Sequence, residues 1–267
     1  MALRPKGAEA PLDIALEAAR AGAAVLRRTG LAHGSAQLKQ LSGDYVTDAD
    51  HASEDAIVEV LRRRAPEIPI LAEERGGALS GTRWAVDPLD GTTNFTRALP
   101  VVGVSVALLD GGSPVVGVVI GPWLDVEFAV QRGRGATLNG RGLPRLGRGD
   151  PGTAIVATGF PFRRKDRIGR YMPVLRGALS RFEDLRRAGA ASLDLAWTAS
   201  GTFDGFFELG LGTWDVAAGA ALVLELGGRV SDWSGGDGWL ESGDILAAPP
   251  AIHEVLLELA ARRPDEY

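Results

Sequence analysis

The chain runs to 267 residues with 45% hydrophobic and 24% charged positions, a soluble globular balance with room for one large domain or two packed lobes. A formal net charge of −5 gives no support for general nucleic-acid affinity, and the absence of cysteine excludes disulfides, thiolate metal sites and thiol nucleophiles. No stretch approaches the ~20 apolar residues of a membrane span, and the first residues lack a charged segment leading into an apolar signal core, which predicts a cytoplasmic protein.

In chain order, Leu12, Leu16, Ala19, Ala23 and Leu26 recur at helical spacing and run into Arg27-Arg28 and Gly30, predicting a helix over about 12–29. A second helix is expected from about Asp50 to Arg64, with Thr47 or Asp48 as its cap and three arginines at its cation-favouring end. Ile68 to Leu71 reads as a short strand that stops before Glu73-Glu74, and Trp84-Ala85-Val86 as a short buried one. Val101 to Leu109 and Pro114 to Ile120 alternate around Asp110-Gly111-Gly112 as a hairpin, with a further strand over Val126 to Gln131. The Gly/Arg-rich stretch from Arg132 to Gly152 reads as turns and loop. It divides a single domain, 1–267, into lobes of about 1–145 and 146–267. Beyond it, strands are expected at Thr153–Thr158, Phe182–Arg186, Gly205–Leu209 and Ile245–Ala248. Helices fit Lys165–Leu179, Ser192–Ser200, Trp214–Leu226 and Pro250–Arg262. The sum is an α/β protein of layered sheets and helices.

The chemistry concentrates in Trp84-Ala85-Val86-Asp87-Pro88-Leu89-Asp90-Gly91-Thr92-Thr93-Asn94-Phe95. Pro88 holds Asp87 extended and the chain must turn sharply at Asp90-Gly91. That geometry can aim both carboxylates at one point, with the amides of Gly91, Thr92 and Thr93 converging beside them as an anion cradle. Crowded carboxylates repel unless a cation or a shared proton neutralises them. The five-residue core is also ordinary turn vocabulary, in which Asp87 could merely cap a helix. The three histidines (His33, His51 and His253) have no zinc-ligand spacing, so a metal would be held by oxygen, which favours Mg²⁺ with Mn²⁺ as a substitute. With no Gly-x-Ser-x-Gly elbow either, metal-activated water is the expected nucleophile.

Other acidic positions fit the same chemistry and also blander roles. Glu73 and Glu74 stand where a strand would end, a favoured ligand position, yet could be a solvated pair. Asp215 opens a helix of very small residues, Asp215-Val216-Ala217-Ala218-Gly219, where an acid is favourable in its own right. The small face argues for close packing that would carry Asp215 inward. Asp44 and Asp50 flank Val46-Thr47. Lys39 is one of only three lysines against 26 arginines, which hints at a site wanting a compact charge.

With Asp87-Pro88-Leu89-Asp90-Gly91-Thr92-Thr93, Ala72-Glu73-Glu74 and Trp214-Asp215-Val216-Ala217-Ala218-Gly219 in hand, the chain resembles the inositol monophosphatase family of lithium-sensitive, magnesium-dependent phosphatases. The likeness covers nearly the whole chain. It implies a five-layer α/β/α/β/α sandwich, a homodimer, and two or three Mg²⁺ per subunit. It also implies metal ligation by Glu73, Asp87, the Leu89 carbonyl, Asp90 and Asp215, with Thr92 and Asp50 orienting the attacking water beside Glu73 and Asp90. Gly91, Thr92, Lys39, Ala190, Ala191 and Glu208 fall at positions that contact substrate. Ala190 stands where serine or threonine is common, a departure that bears on the substrate more than on the chemistry. The implied activity is hydrolysis of inositol monophosphate, with histidinol phosphate, fructose-1,6-bisphosphate, NADP and adenosine 3′,5′-bisphosphate as rival phosphomonoesters. A reading of another class is a binding factor for RNA polymerase and antitermination machinery, using the arginine-rich segments Arg132 to Arg148 and Arg163 to Arg170.

Overall fold

The computed structural model describes residues 10–31, 37–38 and 45–261, so Lys39 and Asp44 lie outside the described residues. Helix α1 (Pro11–Thr29) opens on a proline in its first turn, where the missing amide costs nothing. Strands β1 (Gln37–Leu38) and β2 (Tyr45–Val46) pair ahead of α2 (Asp48–Arg64). Thr47 caps α2: its hydroxyl accepts the Ala49 amide at 3.2 Å, and Asp50 returns the favour to the Thr47 amide at 2.8 Å. The two helices cross closely at Gly22, where a β-carbon would lie 2.7 Å from the Ile57 side chain.

The first sheet has eight strands in the order β10-β9-β8-β7-β6-β5-β3-β4. They are β3 (Ile70–Ala72), β4 (Gly76–Gly77), β5 (Arg83–Asp90), β6 (Gly103–Asp110), β7 (Ser113–Gly121), β8 (Val126–Gln131), β9 (Ala136–Leu138) and β10 (Arg141–Gly142). The short helix α3 (Thr92–Thr96) follows β5. The expected hairpin is β6–β7, turning on Gly111 and Gly112 at φ 58° and 76°, a left-handed pair that suits glycine.

The second half contributes β11 (Ile155–Thr158), α4 (Ile168–Arg181), β12 (Asp184–Arg186), α5 (Ala191–Ser200), β13 (Gly205–Glu208), α6 (Thr213–Glu225), β14 (Arg229–Ser231), α7 (Trp239–Ser242), β15 (Ile245–Ala248) and α8 (Pro250–Ala261). Its five-stranded sheet runs β12-β11-β13-β15-β14, with β11 parallel to both neighbours. Three apolar cores cement the layers. One lies between α1, α2 and the first sheet, one holds α5 and α6 between the two sheets, and one packs α4 and α8 on the outer face of the second. Strand alternation sorts side chains between them: Trp84 and Val86 face α1 and α2, whereas Ala85 faces α5 and α6. The result is the α/β/α/β/α sandwich. Among the described residues, no helix is long and apolar enough to cross a membrane.

Sequence and structure differ in a few places. The segment read as loop from Arg132 to Gly152 holds β9 and β10, each too short to show alternation. Strand β14 is missed for the same reason. Strand β5 extends past Val86 through Asp90, because a bulge lets the chain keep pairing across Pro88.

Candidate active site

Residues three apart on a regular strand face opposite sides of the sheet. The pairing of β5 with β6 slips between Asp87 and Asp90, and this bulge brings the two carboxylates round to one side. Asp215 arrives from the first turn of α6, held by the Gly212 amide at 2.6 Å from Oδ2. Each of Asp87, Asp90 and Asp215 offers an oxygen, and these oxygens all lie within 4.8 Å of one another. Helix α6 can deliver Asp215 only because it lies almost on the sheet backbone: a β-carbon on Gly117 would sit 2.6 Å from the Ala218 carbonyl oxygen. On its other side, a β-carbon on Gly219 would lie 2.3 Å from Leu195.

The crowding shows in the electrostatics. Burial, followed by the charges of Glu73, Asp90 and Asp215, pushes the Asp87 carboxyl well above its ordinary range. Burial and Asp215 raise Asp90 to about 7 despite two bonds from Ser192, and burial and Glu73 raise Asp215 to about 6. Asp87 Oδ2 is buried without a hydrogen-bond partner among the described residues. Three converging carboxylates, one with an orphaned oxygen, form a hard anionic donor set that fits a divalent cation. Glu73, at the end of β3, adds its charge to all three but stands outside the 4.8 Å grouping.

Around this trio the remaining predicted residues fall into place unevenly. Asp50 is fully buried, and the Thr92 hydroxyl reaches its Oδ1 at 3.2 Å and the Leu89 carbonyl at 3.3 Å. Gly91 caps α3 at φ 93°, pressed between the carbonyls of Val101 and Gly189, so a side chain would be strained and would clash. Gly91, Thr92 and Thr93 line a cleft of about 330 Å³ shared with Asp90 and Asp215. Glu208, across the cleft, is raised to about 8 by burial, and its carboxyl occupies the space that a β-carbon on Gly159 would need. Ala191 lines the cleft, whereas Ala190 is buried in the core between the sheets.

Sequence reasoning missed two groups here. Ser192 gives Asp90 Oδ2 both its amide at 2.7 Å and its hydroxyl at 2.6 Å; Gly103 leaves room for that hydroxyl. A serine at the opening of a helix was the available signal. Asp194, two residues further along α5, is buried with an Oδ1 that has no hydrogen-bond partner among the described residues, and it is raised well above the carboxylate range by desolvation, then Glu208 and Asp90. Its position inside an apolar helix gave no signal beyond an acid in the first turn.

The comparisons with known proteins fall on the same features. The inositol monophosphatase family model matches residues 9–265. The Nus factor SuhB of Pseudomonas aeruginosa is 43% identical over 255 residues, covering 92% of this chain and 94% of that protein. The crystal structure of extragenic suppressor protein suhB from Bartonella henselae superposes with a TM-score of 0.87 at 35% identity, over 95% of this chain and 99% of that one. An inositol monophosphatase from Anabaena gives a TM-score of 0.81 at 36% identity, over 93% and 94%. Sequence and fold match along almost the full length, and the chain belongs to the inositol monophosphatase family.

Proposed function

We propose that the chain is a Mg²⁺-dependent phosphomonoesterase that hydrolyses inositol monophosphate to inositol and phosphate. The observation that carries this reading is the meeting of Asp87, Asp90 and Asp215, of which Asp90 and Asp215 line a cleft beside the first turn of α3. Those three, with Glu73 and the Leu89 carbonyl, would hold two or three cations, Mn²⁺ serving as a substitute. A divalent cation supplies charge that lets the carboxylates ionise together, lowers the pKa of water and stabilises the leaving oxygen. The Thr92 hydroxyl donates to Asp50 Oδ1, which leaves its own lone pairs to accept from the attacking water and aim it. Amides from Gly91 onward hold the phosphate oxygens. Glu208, raised to about 8, carries a proton at neutral pH and can donate to a substrate hydroxyl. Phosphate release over a panel of phosphomonoesters, with Mg²⁺ and with EDTA, tests the reading. Asp90→Asn and Asp215→Asn are each expected to abolish Mg²⁺-dependent release by a well-folded protein, and near-normal turnover in either would sink the assignment. Histidinol phosphate, fructose-1,6-bisphosphate, NADP or adenosine 3′,5′-bisphosphate outpacing inositol-1-phosphate would move the substrate within the same chemistry.

A second reading is favoured by the relative named a Nus factor. In it the chain binds RNA polymerase and antitermination factors through its arginine-rich surface, independently of turnover. Binding of purified polymerase that persists in the Asp90→Asn protein supports this role, and no binding by either protein removes it.

A further inference from the structure

Asp50, Ser53 and Glu54 share one face of α2 at positions i, i+3 and i+4, and all three are fully buried. The same face continues as Ile57 and Leu61, in the apolar core that also holds Val86 and Leu89 of β5. Packing alone would favour apolar side chains at 53 and 54. Buried polar groups cost free energy unless they are bonded, and a buried ion pair seldom adds net stability. What these groups hold is therefore informative.

Each reaches a segment that carries the acidic cluster. Asp50 takes the Thr92 hydroxyl. The Ser53 hydroxyl donates to the Pro88 carbonyl at 2.8 Å, inside the β5 slip between Asp87 and Asp90. Helix α1 shuts this bond in, since a β-carbon on Gly22 would lie 2.8 Å from the Ser53 oxygen. Glu54 Oε2 accepts the Glu74 amide at 2.9 Å, and its Oε1 lies 2.9 Å from Nε of the exposed Arg75. Glu73 gives its own amide to the Val86 carbonyl at 3.1 Å. The corner after β3 is thus tied to β5 at one residue and to α2 at the next.

We propose that Ser53 and Glu54 are positioning residues of the metal centre. Ser53 fixes the bulge that turns Asp87 and Asp90 to one side, and Glu54 fixes the corner that presents Glu73. Neither lines the cleft, so each acts through the ligands it holds. The inference rests on the cation site of the phosphomonoesterase reading and adds what keeps that site rigid. Ligands referenced to one helix lose little binding free energy to being ordered.

Calorimetric titration of the full chain with Mn²⁺, well below each protein's unfolding temperature, reads the effect without turnover. Ser53→Ala removes the donor with little loss of volume, and should weaken Mn²⁺ binding about tenfold or more. Glu54→Asp keeps the charge but falls one methylene short of the Glu74 amide, and should weaken it similarly. Glu54→Gln keeps an acceptor at full reach without the charge, and should bind close to wild type. Val60→Ala, buried further along the same helix, should lose stability and keep its Mn²⁺ affinity. Wild-type affinity in Ser53→Ala or Glu54→Asp overturns the role of that residue, and an equal loss in Val60→Ala overturns both. Glu54→Gln binding more weakly than Glu54→Asp would assign the effect to charge at a distance, against the role of Glu54. Should Glu54→Asp not fold, Ser53→Ala decides alone, since only a hydroxyl has been removed. Weakened Mn²⁺ binding in the variants sustains the positioning roles even in a protein that releases no phosphate, a result that sinks only the phosphatase reading. A wild-type protein that binds no Mn²⁺ overturns both.

Discussion

Asp90 is the most heavily contested side chain in the cleft. Burial and the Asp215 charge push it towards protonation, and the Ser192 amide and hydroxyl oppose them. Those two donors also fix which way the carboxylate faces, since both bind Oδ2 and leave Oδ1 to the cluster. Groups that orient a metal ligand from behind commonly change affinity about 10–100-fold when removed, so Ser192→Ala should raise the Mg²⁺ concentration for half-maximal activation by about tenfold. Much of kcat should return at saturating Mg²⁺, because the amide bond survives the substitution. A Mg²⁺ titration of phosphate release checks this, and an unchanged midpoint would show that the hydroxyl is dispensable.

At the scale of elements, the decisive contact is that of α6 with β7. The helix offers Ala217, Ala218 and Gly219 as a nearly bare surface, and β7 meets it with Gly117. Placing Asp215 beside Asp87 depends on this closeness, because each added methyl group would lift the helix away from the sheet. Gly117→Val should therefore destabilise the fold by about 1–3 kcal/mol or more, as overpacking in a dense core does. The same displacement should weaken Mg²⁺-dependent turnover more than the stability loss alone explains. Urea unfolding alongside kinetics well below the midpoint tests the pair of effects, and wild-type values in both would show that the interface has slack. At the other end of the site, Thr47→Ala removes a cap and one of the groups holding Asp50, and should cost about 1 kcal/mol of stability. Chemical denaturation measures that cost directly.

For the whole molecule, the acidic cluster makes stability depend on pH and metal together. Asp90 and Asp215 rise from 3.8 to about 7 and about 6, and Glu208 from 4.5 to about 8. Each carboxyl titrates higher in the fold than in the unfolded chain, so the folded state binds more protons between the two values. Their contribution to stability is complete below the unfolded values and is lost as pH rises through the folded ones. In EDTA these groups thus lower the stability between about pH 4 and about pH 8, while a bound cation removes the repulsion. The gain in Tm on adding Mg²⁺ should be small near pH 5 and larger near pH 8. Thermal melts across that range check the trend, and a gain independent of pH would mean that the cluster is not where the metal acts.

Much of this protein could be read from its residues in order. Apolar periodicity located α1 and the β6–β7 hairpin, a cap and terminal arginines located α2, and the Asp87–Thr93 and Trp214–Gly219 motifs named three carboxylates from two distant segments of the chain. Such features are local: a strand, a cap or a turn is decided by neighbours a few positions away. What the linear order could not supply was the slip in β5 that turns Asp87 and Asp90 to one side, or the pairing of Ser192 with Asp90 across 102 residues. Nor could it set Arg187 over the rings of Phe160 and Phe162. The sequence by itself determined which groups are available and which backbone segments carry them. Only the tertiary structure decided which of them meet, because a carboxylate's proton affinity and a cation's partners depend on distance and burial, and both are set by how the layers pack.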